Sequence, residues 1–258
     1  MMIDLNCDMG EGFGAYTIGD DPQMLAIVSS ANIACGFHAG DPRVMRQTLE
    51  LAKANGVQPG AHPGFLDLFG FGRRQIRGER PEEIEWQITY QIGALQGLAK
   101  SAGCRVRHVK THGSLGNMAA EDPELAMAVA RAIKAVDPEL IFVVMPGLET
   151  ERAGQRLGLR MAREIYADRA YADSGNLLPR KVDGAVIHDP AVARDRVIEM
   201  LQEGGVITAT GIHLPARIDS VCVHGDTPGA VAMARELRRG LEDAGFAIRP
   251  MAEVIAGC

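Results

Sequence analysis

Ser30-Ala31-Asn32-Ile33-Ala34-Cys35-Gly36-Phe37-His38-Ala39-Gly40-Asp41-Pro42 carries three signals in succession: an apolar run of strand length, a histidine beyond its end, and aspartate followed by proline. An aspartate in that place caps an orphan backbone amide, and the proline ring presets φ at the first helical position. The stretch therefore predicts a strand that passes through a polar residue directly into a helix.

The same unit recurs along the chain. Strand-like runs are expected at Ile3–Cys7, Ser30–Cys35, Val57–His62, Val106–Thr111, Leu140–Met145, Arg160–Tyr166, Val206–Thr210 and Ser220–His224. Capped helix starts are expected at Asp21-Pro22, Asp41-Pro42, Asp122-Pro123, Asp189-Pro190 and Thr227-Pro228. The segments that follow carry apolar stripes of helical period: Val44, Thr48, Leu51 and Ala52; Ile84, Ile88, Leu95 and Ala99; Leu125, Val129 and Ile133. Alternating strands and one-sided helices imply an α/β fold with a largely parallel sheet and helices outside it, either closed as a barrel or open and doubly wound. No Gly/Ser/Pro-rich linker interrupts residues 1–258, so a single domain is expected.

Polar groups decide between the two sheets. Asn6, Asp8 and Glu11 accompany the first strand, His38 the second, His62 the third, Lys110 and His112 the fourth, Glu164 and Asp168 the sixth, and His224 with Asp226 the last. An open sheet gathers loops only beside its switch point, whereas a barrel brings every C-terminal strand end to one face. Barrel closure is therefore expected, with a wet cavity on that face, because so many buried polar groups need water or ligand as partners. Arg73, Arg74, Arg169 and Lys110, together with helix N-termini, suit a carboxylate or phosphate ligand. Gly10, Gly12 and Gly14 make a glycine-rich turn, but without the lysine of a Walker loop or the full dinucleotide pattern, so phosphate cradle and plain turn both remain open.

Composition removes other classes. There are 27 Lys+Arg against 33 Asp+Glu, for a net charge of −6, and no basic run, which argues against nucleic acid as a partner. No apolar stretch is long enough to span a bilayer, and Asp4 and Asp8 within the first apolar stretch argue against a signal peptide. Cys7, Cys35, Cys104, Cys222 and Cys258 form an odd, widely spaced set, as expected of a reducing, cytoplasmic compartment. Cys7, Cys35 and Cys222 read as buried filler rather than nucleophiles.

Several blocks are more specific. Asp4-Leu-Asn6-Cys-Asp8-Met-Gly10-Glu11-Gly12, Ser30 through Asp41, Gly60-Ala-His62-Pro63-Gly64-Phe65 through Gly70-Phe-Gly72-Arg73-Arg74, Tyr166-Ala-Asp168-Arg169-Ala-Tyr171 and Val223-His224-Gly225-Asp226-Thr227-Pro228-Gly229 resemble the LamB/YcsF family, the A subunits of bacterial 5-oxoprolinases, nearly end to end. One block departs: the family's Lys-Pro-His-Gly-Ala-Leu-Tyr-Asn run is here Lys110-Thr111-His112-Gly113-Ser114-Leu115-Gly116-Asn117, without the rigid proline and the aromatic wall.

The resemblance implies an irregular seven-stranded β/α barrel of the polysaccharide deacetylase type. It also implies hydrolysis of 5-oxoproline to glutamate coupled to ATP, with magnesium, and B and C subunits as partners. Under that reading Asp8, His38, His62 and His112 are candidates for proton transfer and water positioning, and Lys110 and Arg73 for stabilising negative charge on the amide oxygen or a phosphate. Asn6, Glu11, Glu164, Arg169, His224 and Asp226 are candidates for substrate or phosphate contacts. Two alternatives stand beside it: a metal-dependent deacetylase or amidase with Asp8, His38 and His62 as ligands, and a non-catalytic protein of the complex that only binds 5-oxoproline.

Overall fold

The computed structural model describes residues 1–226 and 229–257. Its strands are β1 (Met2–Met9), β2 (Ser30–Ala34), β3 (Gln58–His62), β4 (His108–Val109), β5 (Ile141–Val144), β6 (Met161–Tyr166), β7 (Gly205–Ile207), β8 (His213–Pro215), β9 (Ser220–Cys222) and β10 (Ala247–Ile248). Its helices are α1 (Asp21–Leu25), α2 (Pro42–Ala54), α3 (Pro81–Ala102), α4 (Gly113–Ala119), α5 (Pro123–Val136), α6 (Glu149–Leu157), α7 (Pro190–Glu203), α8 (Ala230–Asp243) and α9 (Met251–Ala256).

Seven parallel strands close into a barrel in the order β1-β2-β3-β4-β5-β6-β9, with β9 pairing back onto β1, and β10 adds to the outer edge of β1. The expected seven-stranded barrel is thus observed, with one reassignment among the strand runs. Val206–Thr210 does not join the barrel: its first residues form β7, which pairs antiparallel with β8 in a separate hairpin. The local signal for a strand is the same in both settings, and only long-range pairing distinguishes them.

Capping holds as expected at three sites. Asp41 accepts from the amides of Arg43 and Val44, Asp122 from Glu124 and Leu125, and Asp189 from Ala191 and Val192. At α1 the cap is Asp20, which accepts from Gln23; Asp21 instead accepts from the Gly10 amide and the Thr48 hydroxyl. The Thr227-Pro228 start lies outside the described residues, as does Cys258. The buried face of α2 is Met45, Thr48, Leu49 and Ala52, while Leu51 is exposed; α3 and α5 bury Ile84, Ile88, Leu95, Ala99, Val129 and Ile133 as expected.

The apolar core lies between barrel and helices. Ile3, Leu5, Cys7 and Met9 alternate on β1 toward the helical layer, so the intervening Asp4, Asn6 and Asp8 face the barrel axis. There they meet inward groups from other strands. The Asn6 amide donates to Glu164 and Ser220, the Asn32 amide to Asn6 and Asp8, and His108 Nε2 donates to Asn32 Oδ1 at 2.8 Å. All of these polar residues are buried, and the network satisfies both protons of each asparagine amide, which a low-dielectric interior requires. Gly60 makes room for it, because a Cβ there would lie 2.1 Å from His108 Nε2. At the N-terminal end of the barrel Met251 of α9 packs with Ile141, Val143 and Ala162. No helix among the described residues is long and apolar enough to cross a membrane.

Candidate active site

The C-terminal strand ends surround a cavity of about 570 Å3. Of the expected site residues, Asp8, Glu11, His62, Arg73, Lys110, His112, Glu164, Arg169, His224 and Asp226 line it. Asn6 and His38 are fully buried behind that wall. Asn6 positions Glu164 through the bond already described. Arg74 turns away and pairs with Asp67 on the outside of its loop.

Lys110 is the central cation. Its Nζ lies 2.9 Å from Asp8 Oδ1, 3.3 Å from Glu164 Oε1 and 2.8 Å from Cys222 Sγ, and it sits 5.0 Å from the centre of the Tyr166 ring. Burial opposes its charge, but Asp8, Cys222 and Glu164 outweigh it and hold the ammonium well above the usual lysine range. Burial would likewise raise the Asp8 carboxyl, yet His62 and Lys110 beside it keep it well below the usual carboxylate range. The site thus holds a buried, ionised pair. Cys222 shares the apolar core with Cys7 and Cys35, as expected, and in addition its Sγ touches Lys110.

Two histidine arrangements face the same space. His224 Nδ1 donates to both oxygens of Asp168 at 2.8 Å. That fixes the tautomer and leaves Nε2 as the acceptor, 3.9 Å from Asp8 Oδ2. Asp168 stays ionised, since His224 offsets the burial that would raise it. On the other side His62 and His112 face each other, with Glu11 and His38 alongside.

Phe71 shapes this second group. Its backbone lies in the left-handed region at φ 54°, which costs a non-glycine residue about 1–2 kcal/mol, and its carbonyl accepts from His112 Nε2 at 2.8 Å. Arg73 follows, over the Phe71 ring, and bonds Asp226 at 2.6 Å. Residues that sequence reasoning passed over include His108, Asp4 and the cavity-mouth pair Arg180 and Lys181. The period-2 alternation of β1 is the signal that could have placed Asp4 inside the barrel.

In the Gly10–Gly14 turn the Gly10 amide donates to Asp21, the Gly14 amide to Asp41 and the Phe13 amide to Tyr16, so these three amides are already engaged. The α2 N-terminus is closed by Asp41. Arg169 donates to the carbonyls of Ala185 and Leu178, and the donors of Lys110 are committed.

A family model described as LamB/YcsF matches residues 3–256. A 5-oxoprolinase A subunit of Bradyrhizobium diazoefficiens, the one numbered 2 in that organism, is 56% identical over 248 residues, covering 96% of this chain and 97% of the relative. The 5-oxoprolinase A subunit of Rhodopseudomonas palustris strain BisB5 is 56% identical over 252 residues, covering 98% and 99%. The crystal structure of a lactam utilization protein from Thermus thermophilus superposes with a TM-score of 0.90 at 45% identity, over 96% of this chain and 99% of that one. A T48 deacetylase shares the fold at a TM-score of 0.53 and 16% identity, over 99% and 91%.

Proposed function

The chain belongs to the LamB/YcsF family, and on that premise we propose that it is the A-type subunit of an ATP-dependent 5-oxoprolinase, which opens the lactam while partner B and C subunits carry the ATP-dependent activation. The observation that carries this reading is the buried Asp8–Lys110–Glu164 unit opposite the oriented His224–Asp168 pair, in one cavity.

Hydrolysis needs a base for water, a donor for the departing nitrogen and a positive environment for the carbonyl oxygen. His224 is suited to the first two: its Nε2 takes a proton from water as the new C–O bond forms, and returns it to the ring nitrogen as the C–N bond breaks, giving glutamate. Lys110 and Arg73 offer positive charge to the oxygen. Asp8 keeps Lys110 charged and in place. His38, withdrawn behind the wall, is less suited to proton transfer than His224. An unstrained, resonance-stabilised amide still requires activation, and since the Gly10 and Gly14 amides and Lys110 Nζ are already bonded within the chain, this reading leaves ATP chemistry to the partners.

Reconstitution tests this. The purified chain with 5-oxoproline, ATP and magnesium should release no glutamate, and glutamate and ADP should appear together once the partner subunits are added. Stoichiometric glutamate and ADP from the chain alone would refute the division of labour; glutamate without ATP would favour the deacetylase-like amidase.

A further inference from the structure

Glu11, His38, His62 and His112 bring one nitrogen or oxygen each within 4.8 Å of the others, and all four are buried. His62 Nδ1 lies 2.8 Å from the Lys110 carbonyl, and His112 Nε2 lies 2.8 Å from the Phe71 carbonyl. A carbonyl oxygen only accepts, so each of these nitrogens carries the hydrogen. In the neutral rings His62 Nε2 and His112 Nδ1 are then bare lone pairs, and they face each other at 3.0 Å. Asp8 Oδ2 lies 3.3 Å from the first, and Glu11 Oε1 lies 3.5 Å from the second. With both rings neutral, acceptors thus converge on a point that a shared proton or a cation must fill. His38 completes the set: it is fully buried, neither ring nitrogen has a hydrogen-bond partner, and its Nε2 is 3.8 Å from Glu11.

A neighbouring cluster shows what such a convergence calls for. Asp8, Cys222 and His224 also gather potential ligand atoms, but there Lys110 Nζ already occupies the centre, bonded to Asp8 and Cys222. The ion-pair partners of Glu11 among the described residues are the two rings His38 and His112. No lysine or arginine among the described residues is within ion-pair distance of Glu11, although Arg73 acts on it from further off.

We propose that Glu11, His38, His62 and His112 bind a divalent first-row transition-metal ion of the zinc type. Metal-ligating histidines characteristically donate their far nitrogen to a carbonyl or carboxylate, which fixes tautomer and aim, and His62 and His112 both do so. Three imidazoles and a carboxylate suit zinc, whereas magnesium prefers oxygen donors. The His38 and His112 rings are stacked at 3.7 Å and 4°, so both cannot point in plane at one ion without a turn of one ring. His38 is the ring that turns, since it has no hydrogen bond to break. Gly64 and Gly72 keep the space: a Cβ at Gly64 would lie 2.8 Å from His38 Nδ1, and one at Gly72 would lie 2.7 Å from His112 Cδ2.

The test uses the full chain without a polyhistidine tag, stripped by a chelator and titrated with cobalt(II) and zinc. Expected are a strong visible cobalt absorption saturating at about one ion per chain, its displacement by zinc, and a rise in melting temperature on zinc addition. His62→Ala and Glu11→Gln, each checked for folding by circular dichroism, should lose the absorption and the thermal shift. Cys222→Ser should retain both. Absence of the absorption and of any thermal shift in the folded wild-type chain would overturn the proposal and leave a proton shared between His62 and His112; loss in Cys222→Ser but not in His62→Ala would overturn it in favour of the other cluster.

Discussion

Lys110 Nζ lies 2.9 Å from Asp8 Oδ1, and both side chains are nearly withdrawn from solvent. Lys110 also neutralises Glu164. Removing one partner of a buried ion pair costs more than the pair contributes, because the other charge is left unpaired. Lys110→Met should therefore lower the unfolding free energy by about 3–5 kcal/mol at neutral pH, measured by urea denaturation, with a smaller loss in acid where the carboxyls protonate. A loss below about 1 kcal/mol would show that Asp8 is not held ionised by this lysine.

Arg73 and Asp226 form a half-exposed pair at the cavity wall. Its worth to stability is small, under about 1 kcal/mol, so Arg73→Ala should leave the melting temperature nearly unchanged. In the reconstituted enzyme it should raise KM about tenfold or more through loss of its charge-assisted contact to the lactam oxygen. An unchanged KM would remove Arg73 from the site.

Asp4 is sealed in the barrel with Ser29, Ser30 and Ser220 donating to it, and burial pushes its carboxyl up to about 6. The folded chain retains this proton between the unfolded value, near 4, and about 6, so stability falls as pH rises through that window. The full effect is roughly 3 kcal/mol, the difference between a carboxyl at about 6 and one near 4. Asp4→Asn should flatten this part of the stability curve; parallel curves for the two proteins would contradict a raised Asp4.

Gly60 and His108 are steric partners across β3 and β4. Gly60→Ala should cost about 1–3 kcal/mol by overpacking, and less in a His108→Ala background. A double-mutant cycle should show coupling of about 0.5–3 kcal/mol; strict additivity would mean that the ring moves aside without cost.

Much of the fold was legible. Asp41, Asp122 and Asp189 before proline mark real helix starts because capping is local chemistry. The hairpin at Val206 was misplaced because β propensity says nothing about which sheet a strand joins. Likewise Asp20, not Asp21, caps α1, since Asp21 is drawn to Gly10 and Thr48 by tertiary contacts.

The sequence by itself determined the strand-to-helix units, the closure implied by polar strand ends and the family blocks, because these depend on neighbours within a few residues. Tertiary structure alone decided the state of each polar group. His62 and His112 owe their tautomers to carbonyls 48 and 41 positions away in the chain, Lys110 owes its charge to Asp8, 102 positions away, and the Gly10 and Gly14 amides are committed to carboxylates of α1 and of the α2 cap. Protonation and donor availability are set by what folding brings within about 3 Å, and spacing along the chain does not encode that distance.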